Sequence, residues 1–183
     1  TLPAILELLG KACEVDRSYL FRYQEPISAP GEGRITLTFE WNSGDFEPQI
    51  NNPDLQDLSV SEGLLHEWIR DLSAGNTVQA RSEELPDHER KIMRQQGIRS
   101  LLLVPVHKGR SLYGFLGFDD CHRERDWSKT EISLLVSVAG NLGIILQRKD
   151  YEHDIQEALL KAESSAMEAI RANTAKSAFL ATM

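Results

Sequence analysis

Gln95-Gln96-Gly97-Ile98-Arg99-Ser100-Leu101-Leu102-Leu103-Val104-Pro105-Val106 and, past Lys108-Gly109, Leu112-Tyr113-Gly114-Phe115-Leu116-Gly117-Phe118-Asp119 decide the fold. Two short apolar runs separated by a glycine-containing turn read as a hairpin. Residues of both parities are apolar, so both faces of these strands are to be covered. Gly97 stands where a helix ends at a C′ glycine, with Pro86 at that helix's start.

Working outward toward the amino terminus, Arg34 to Trp41 alternates strictly: Ile35, Leu37, Phe39 and Trp41 against Arg34, Thr36, Thr38 and Glu40. Val15 to Tyr23 alternates likewise. The two runs pair as a second hairpin around Pro26, Pro30 and Gly31. Arg22 and Glu40 are placed to meet across it. Ile5, Leu8, Leu9 and Ala12 mark a helix ahead of this hairpin. Asn42 to Val60 is a polar excursion of the kind that covers sites. Ser59 and Glu62 form a candidate capping box for a helix with the apolar stripe Leu64, Leu65, Trp68, Ile69 and Leu72. Thr77 to Ala80 reads as a short strand.

Toward the carboxyl terminus, Ser128 and Glu131 repeat the capping-box pattern. They open a helix with Ile132, Leu135, Val138, Ala139, Leu142, Ile145 and Leu146 inward. Beyond Leu146 glycine and proline vanish. Tyr151, Ile155, Leu159, Ala162, Ala166 and Ala169 then follow at steps of four or three, with Asn173, Lys176 and Leu180 beyond them. The consecutive four-residue steps at Tyr151, Ile155 and Leu159 read as a stutter in a heptad seam. Residues 150–183 as one helix would extend about 50 Å. An exposed helix of that length needs a partner, which predicts a parallel homodimer.

The 183 residues carry a net charge of −8, with 41% apolar and 26% charged residues. These are globular values. The negative field argues against nucleic acid and against anionic membrane surfaces. No apolar run reads as long enough to span a bilayer, since Ser137, Gly140, Asn141 and Gly143 interrupt the best one. Cys13 and Cys121 lie far apart, which fits a reducing, cytoplasmic setting.

Three stretches carry a family resemblance. Asp16-Arg17 running into Leu20-Phe21-Arg22-Tyr23 resembles the first strand of a GAF domain. The Gln95 to Val106 passage resembles that family's helix-to-strand entry. Tyr113 to Asp120, with Trp127-Ser128 and Glu131 after it, resembles its last strand and closing helix. The resemblance implies an α+β fold over residues 1–148: an antiparallel sheet with helices on both faces. Residues 149–183 are then a signalling helix. Its end, Ala175-Lys176-Ser177-Ala178-Phe179-Leu180-Ala181-Thr182-Met183, resembles the approach to the phosphoacceptor segment of bacterial sensor histidine kinases. By that resemblance the phosphoacceptor histidine and the ATP-binding domain fall beyond Met183. No Gly-rich phosphate loop occurs, so the chain itself is expected to be no enzyme, and a response regulator would be met through the kinase part.

The resemblance also raises ligands. Phytochrome-like members attach bilin through a Cys-His pair, and alignment on Gly97 puts His88 and Glu89 there. Cys121-His122 lies past the last strand, where a surface-loop cysteine is expected. Bilin is therefore disfavoured at this stage, as are haem, for which His66, His88 and His107 lack a supporting context, and cyclic nucleotides, whose motif is absent. No metal set and no cofactor is expected. What remains is a generic pocket under the long loop, with Trp41, Phe46, Trp68 and Met93 as its walls, suited to a small organic ligand. The alternative is that these four simply fill the core.

Overall fold

The computed structural model describes residues 1–25, 33–44 and 46–181, with side chains described as far as Arg171. The turn expected at Pro26, Pro30 and Gly31 lies outside the described residues, as do the side chains of Asn173, Lys176 and Leu180.

Two compact units divide the chain at Ile144/Ile145. The first is built on six antiparallel strands: β1 (Arg17–Gln24), β2 (Arg34–Asn42), β3 (Leu58–Ser59), β4 (Val78–Arg81), β5 (Ser100–Lys108) and β6 (Ser111–Asp120). Their spatial order is β3-β2-β1-β6-β5-β4. The helices are α1 (Leu2–Ala12), α2 (Gly63–Ser73), α3 (Asp87–Gln95) and α4 (Lys129–Ala181), whose later part forms the second unit.

The two central runs do what their double-faced apolarity demands. Leu101, Leu103 and Phe115 join Ile69 and Leu72 of α2 and Met93 of α3 in a core on one face. Leu102, Val104, Val106, Leu116 and Phe118 are fully buried on the other. There Leu6 and Leu9 of α1 and Leu135, Ala139 and Leu142 of α4 are buried too. Each fully buried side chain of this size contributes about 1.5–3 kcal/mol. Lys108 pairs with Ser111, so the turn residues are Gly109 and Arg110, with Gly109 at φ +64°. Gly97 sits at φ +75°, just past the Gln96 cap of α3, as its position after the helix requires.

Several local expectations are corrected. The Ser128–Glu131 capping box forms, with Ser128 N donating to Glu131 Oε2 at 2.8 Å and Glu131 N to Ser128 Oγ at 3.2 Å. The Ser59–Glu62 box does not: Ser59 stays in β3, paired with Arg34, and α2 begins only at Gly63. The buried face of α1 is Leu6, Leu9 and Gly10, leaving Leu8 67% exposed. Gly10 decides that rotation, because the Trp41 ring lies where any Gly10 side chain would go. In α4, an 18-residue window within Lys129–Arg171 reaches a mean hydropathy of 1.4, long and apolar enough to cross a membrane by length and composition. This exceeds the apolar run expected from the sequence; the buried Leu135, Ala139 and Leu142 account for part of that apolarity as packing in the first unit.

The deepest departure from the sequence pattern is in β2. Leu20 pairs with Phe39 but Phe21 pairs with Leu37, so Thr38 is an extra residue, a β-bulge. Its hydroxyl donates to the Leu20 carbonyl at 3.0 Å. One added residue exchanges the faces of everything after it. Ile35 and Leu37 stay with the α2–α3 core, whereas Glu40 comes level with Tyr19 and Trp41 level with Ser18.

In the second unit, residues 145–183, Tyr151, Ile155, Leu159, Met167 and Ile170 are exposed, as are Ala162, Ala166 and Ala169. Arg148 and Glu152 form an i,i+4 ion pair at 2.8 Å.

Candidate functional site

A cavity of about 820 Å³ lies in the first unit under the segment that follows β2. Phe46 bounds it from that segment, Leu64, Leu65 and Trp68 from α2, and Ile92 and Met93 from α3. A smaller chamber of about 40 Å³ is lined by Tyr19, Glu40 and Asp119. Arg17, Gln49, Leu55 and Gln96 line both, so the chamber is continuous in its walls with the cavity.

Of the four residues expected from the sequence, Phe46, Trp68 and Met93 line this cavity. Trp41 does not. The Thr38 bulge has turned it to the α1 face, against Gly10. The expected Arg22–Glu40 pair does not form, because the register sets Arg22 opposite Thr36 and Glu40 opposite Tyr19. Glu40 faces inward, its Oε2 accepting from the backbone N–H groups of Gln49 at 2.6 Å and Ile50 at 2.9 Å. It thereby folds the long segment back over the sheet. Arg22 instead lies over the Tyr113 ring, 5.8 Å from its centre.

The polar end is built on strand termini. Arg17 opens β1 and is 3% exposed; Asp119, near the end of β6, is 1% exposed. Arg17 Nη2 donates to the Gln96 carbonyl oxygen and reaches Cys121 Sγ at 3.3 Å. Its guanidinium lies over the Phe46 ring at 5.7 Å. Its Nε stands 4.0 Å from Asp119 Oδ2 and meets no hydrogen-bond partner among the described residues. Tyr19 donates its hydroxyl to Asp119 Oδ1 at 2.8 Å. Gly117 opposite Tyr19 leaves room for that ring, which would overlap any side chain there.

Burial raises the Asp119 carboxyl to about 7, outweighing the pull of Arg17 and the Tyr19 hydroxyl. Burial, with Asp119 beside it, holds the Tyr19 hydroxyl well above its ordinary range. Burial also raises Glu40, against the two backbone N–H groups that favour its charge. Cys121, expected on a surface loop, is buried, and burial lifts its thiol to about 11 despite Arg17. It is thus a protonated thiol at neutral pH, not a nucleophile. Among the described residues no group of three or more His, Cys, Asp or Glu could hold a metal.

Arg17, Tyr19, Glu40, Gln96 and Asp119 were not singled out as site residues from the sequence. The signal was present for two of them. Arg17 shares a strand face with Tyr19 and Phe21, and Asp119 shares one with Phe115, so each is a charge at an inward position.

The family profile described as "GAF domain" matches residues 1–146. The chain belongs to the GAF domain family. GAF domains are sensory rather than catalytic modules. This GAF domain is 42% identical over 156 residues to the methanogenesis regulatory histidine kinase FilI of Methanothrix harundinacea, covering 84% of this chain and 17% of that protein. A homologue of that kind supports a sensory or regulatory role. The chain thus spans about a sixth of its curated relative.

Solved structures share the fold. The blue-light-absorbing PixJ GAF domain of Thermosynechococcus elongatus superposes with a TM-score of 0.70 at 16% identity, covering 86% of this chain and 89% of that one. The third GAF domain of Slr1393 from Synechocystis sp. PCC6803, in its photoproduct state, gives 0.70 at 23% identity, over 84% and 95%. The far-red-absorbing dark state of JSC1_58120g3, with bound biliverdin IXa, gives 0.64 at 16% identity, over 80% and 87%. The expectation that disfavoured bilin is overturned by these relatives: the fold is one in which a solved structure holds biliverdin. The lack of a cysteine beside Gly97 bears on covalent attachment alone.

Proposed function

We propose that this GAF domain is the cytoplasmic sensory module of a histidine kinase. A small organic molecule in the cavity biases the packing of α2, α3 and the segment after β2 against the sheet. The state is passed along the carboxyl-terminal helices of two parallel copies to a kinase core, and from there by phosphoryl transfer to a response regulator. The observation that carries this reading is the cavity itself, which joins apolar walls to a buried, incompletely paired polar end. The FilI relationship supports the kinase context. The exposed apolar residues Tyr151, Ile155 and Leu159 support the helix pair.

The test is autophosphorylation of the full-length protein. Trp68→Ala, which removes a cavity wall, should change the rate several-fold without abolishing expression. If Trp68→Ala and Met93→Ala both leave the rate unchanged, the domain is a ligand-free dimerisation spacer.

A further inference from the structure

The smaller chamber specifies the chemistry of what it takes. Buried donors are almost always hydrogen-bonded, and leaving one unsatisfied is destabilising. Arg17 Nε is such a donor, with no partner among the described residues. Asp119 Oδ2 is an acceptor 4.0 Å from it, too far for a direct hydrogen bond. Arg17 and Asp119 both line the chamber, so a buried donor and an acceptor stand side by side at its wall. A group that completes them accepts from one and donates to the other.

Charge narrows the choice. An anion seated on Arg17 would also sit beside Asp119 and Glu40, which line the same chamber. Burial already disfavours the charged form of both carboxyls, and a further negative charge beside them is repelled to the extent that they are ionised. A cation would face the Arg17 guanidinium, whose charge does not titrate away. An uncharged group with a carbonyl and an N–H meets neither penalty. The chamber of about 40 Å³ has room for one group of that size, and it shares Arg17, Gln49, Leu55 and Gln96 with the cavity whose apolar walls include Phe46, Trp68 and Met93.

Resting on the cavity as a ligand site, we propose that the chamber is a recognition subsite for an uncharged amide-type group. Its carbonyl oxygen accepts from Arg17 Nε and its N–H donates to Asp119 Oδ2, while an apolar body fills the outer cavity. The class is thus a neutral amide, lactam or carboxamide with an apolar body.

The test uses four probes with one body, toluene, benzamide, benzoate and benzylamine, titrated into the full chain by ligand-observed NMR. Benzamide should bind at least tenfold more tightly than each of the other three. Arg17→Met should bring it down to the level of toluene, and Trp68→Ala should weaken all that bind. The ranking on the unaltered chain stands even if Arg17→Met does not fold. If toluene binds and benzamide binds no better, water alone completes the pair and the amide subsite is overturned. Preference for benzoate or benzylamine overturns it as well. Binding of none of the four overturns the cavity reading together with the subsite.

Discussion

Arg17 Nε and Asp119 Oδ2 stand 4.0 Å apart in the interior, joined across the first and last strands of the sheet's centre and not hydrogen-bonded to each other. The pair is a charge held by topology. Tyr19 binds the far oxygen of Asp119, and Gln96 and Cys121 hold the far nitrogen of Arg17.

The Asp119 carboxyl is raised to about 7 from a reference of 3.8. Between these values the folded protein holds a proton that the unfolded chain has released. Stability therefore falls as pH rises across that window, by up to about 1.4 kcal/mol per unit, and the loss is complete above it. Asp119→Asn should remove this share of the slope. Urea unfolding at pH 5, 6, 7 and 8 checks it: parallel stability curves for the two proteins would refute the assignment.

Trp41 and Trp68 separate packing from binding. Trp41→Ala opens a gap against Gly10 of α1 and should cost about 3 kcal/mol of stability. Probe affinity in the cavity should be nearly unchanged, since Trp41 lies on the other face. Trp68→Ala should do the reverse, with a smaller loss of stability and a large loss of affinity. Thermal unfolding and probe titration on both variants give the comparison.

Two glycines of α4 predict opposite signs. A methyl on Gly143 would overlap the His107 carbonyl oxygen of β5, whereas nothing lies within 4 Å of one on Gly140. Gly140→Ala should stabilise by up to about 1 kcal/mol through helix propensity. Gly143→Ala should destabilise by about 1–3 kcal/mol, because backbone must move. Equal melting temperatures for the two variants would mean that α4 does not pack on β5 at Gly143.

The legibility of the fold follows from where the physics is local. The Gln95–Asp119 passage carried its strands, turn and C′ glycine in residue types alone, and its double-faced apolarity placed it at the sheet's centre. The site was legible only in part, because one backbone event reorders it. Strict alternation from Ile35 to Trp41 puts Trp41 inward and Glu40 outward; the bulge at Thr38 exchanges them. Threonine at that position carries no bulge signature in sequence. Gln96 was equally hidden, since it contributes a backbone carbonyl, which every residue has.

The second unit is expected to hold two copies together. Tyr151, Ile155, Leu159, Met167 and Ile170 expose apolar surface on a helix that would be marginal alone. Removing residues 150–183 should leave a mostly monomeric domain by sedimentation velocity, while the full chain dimerises. A full chain that sediments as a monomer at high micromolar concentration would refute the pairing.

If the paired helices carry the signal, helical phase should matter more than length. Glycine and proline are absent between Ile145 and Met183, and the α-helix runs from Lys129 to Ala181. A stiff element of this kind transmits rotation or register change rather than bending. The stutter around Ile155 offers two seam packings of similar energy, and Ala162, Ala166 and Ala169 are small enough to slide past a partner. Seven inserted residues restore a heptad seam to its original phase, whereas four turn it by about 40° of an α-helix and shift the seam. If the full-length protein is the proposed histidine kinase, four residues inserted after Ala162 should reset autophosphorylation and its response to the cavity variant Trp68→Ala. Seven inserted at the same place should largely preserve both. Equal behaviour of the two insertions would leave the helix as a tether and place the output of the domain elsewhere.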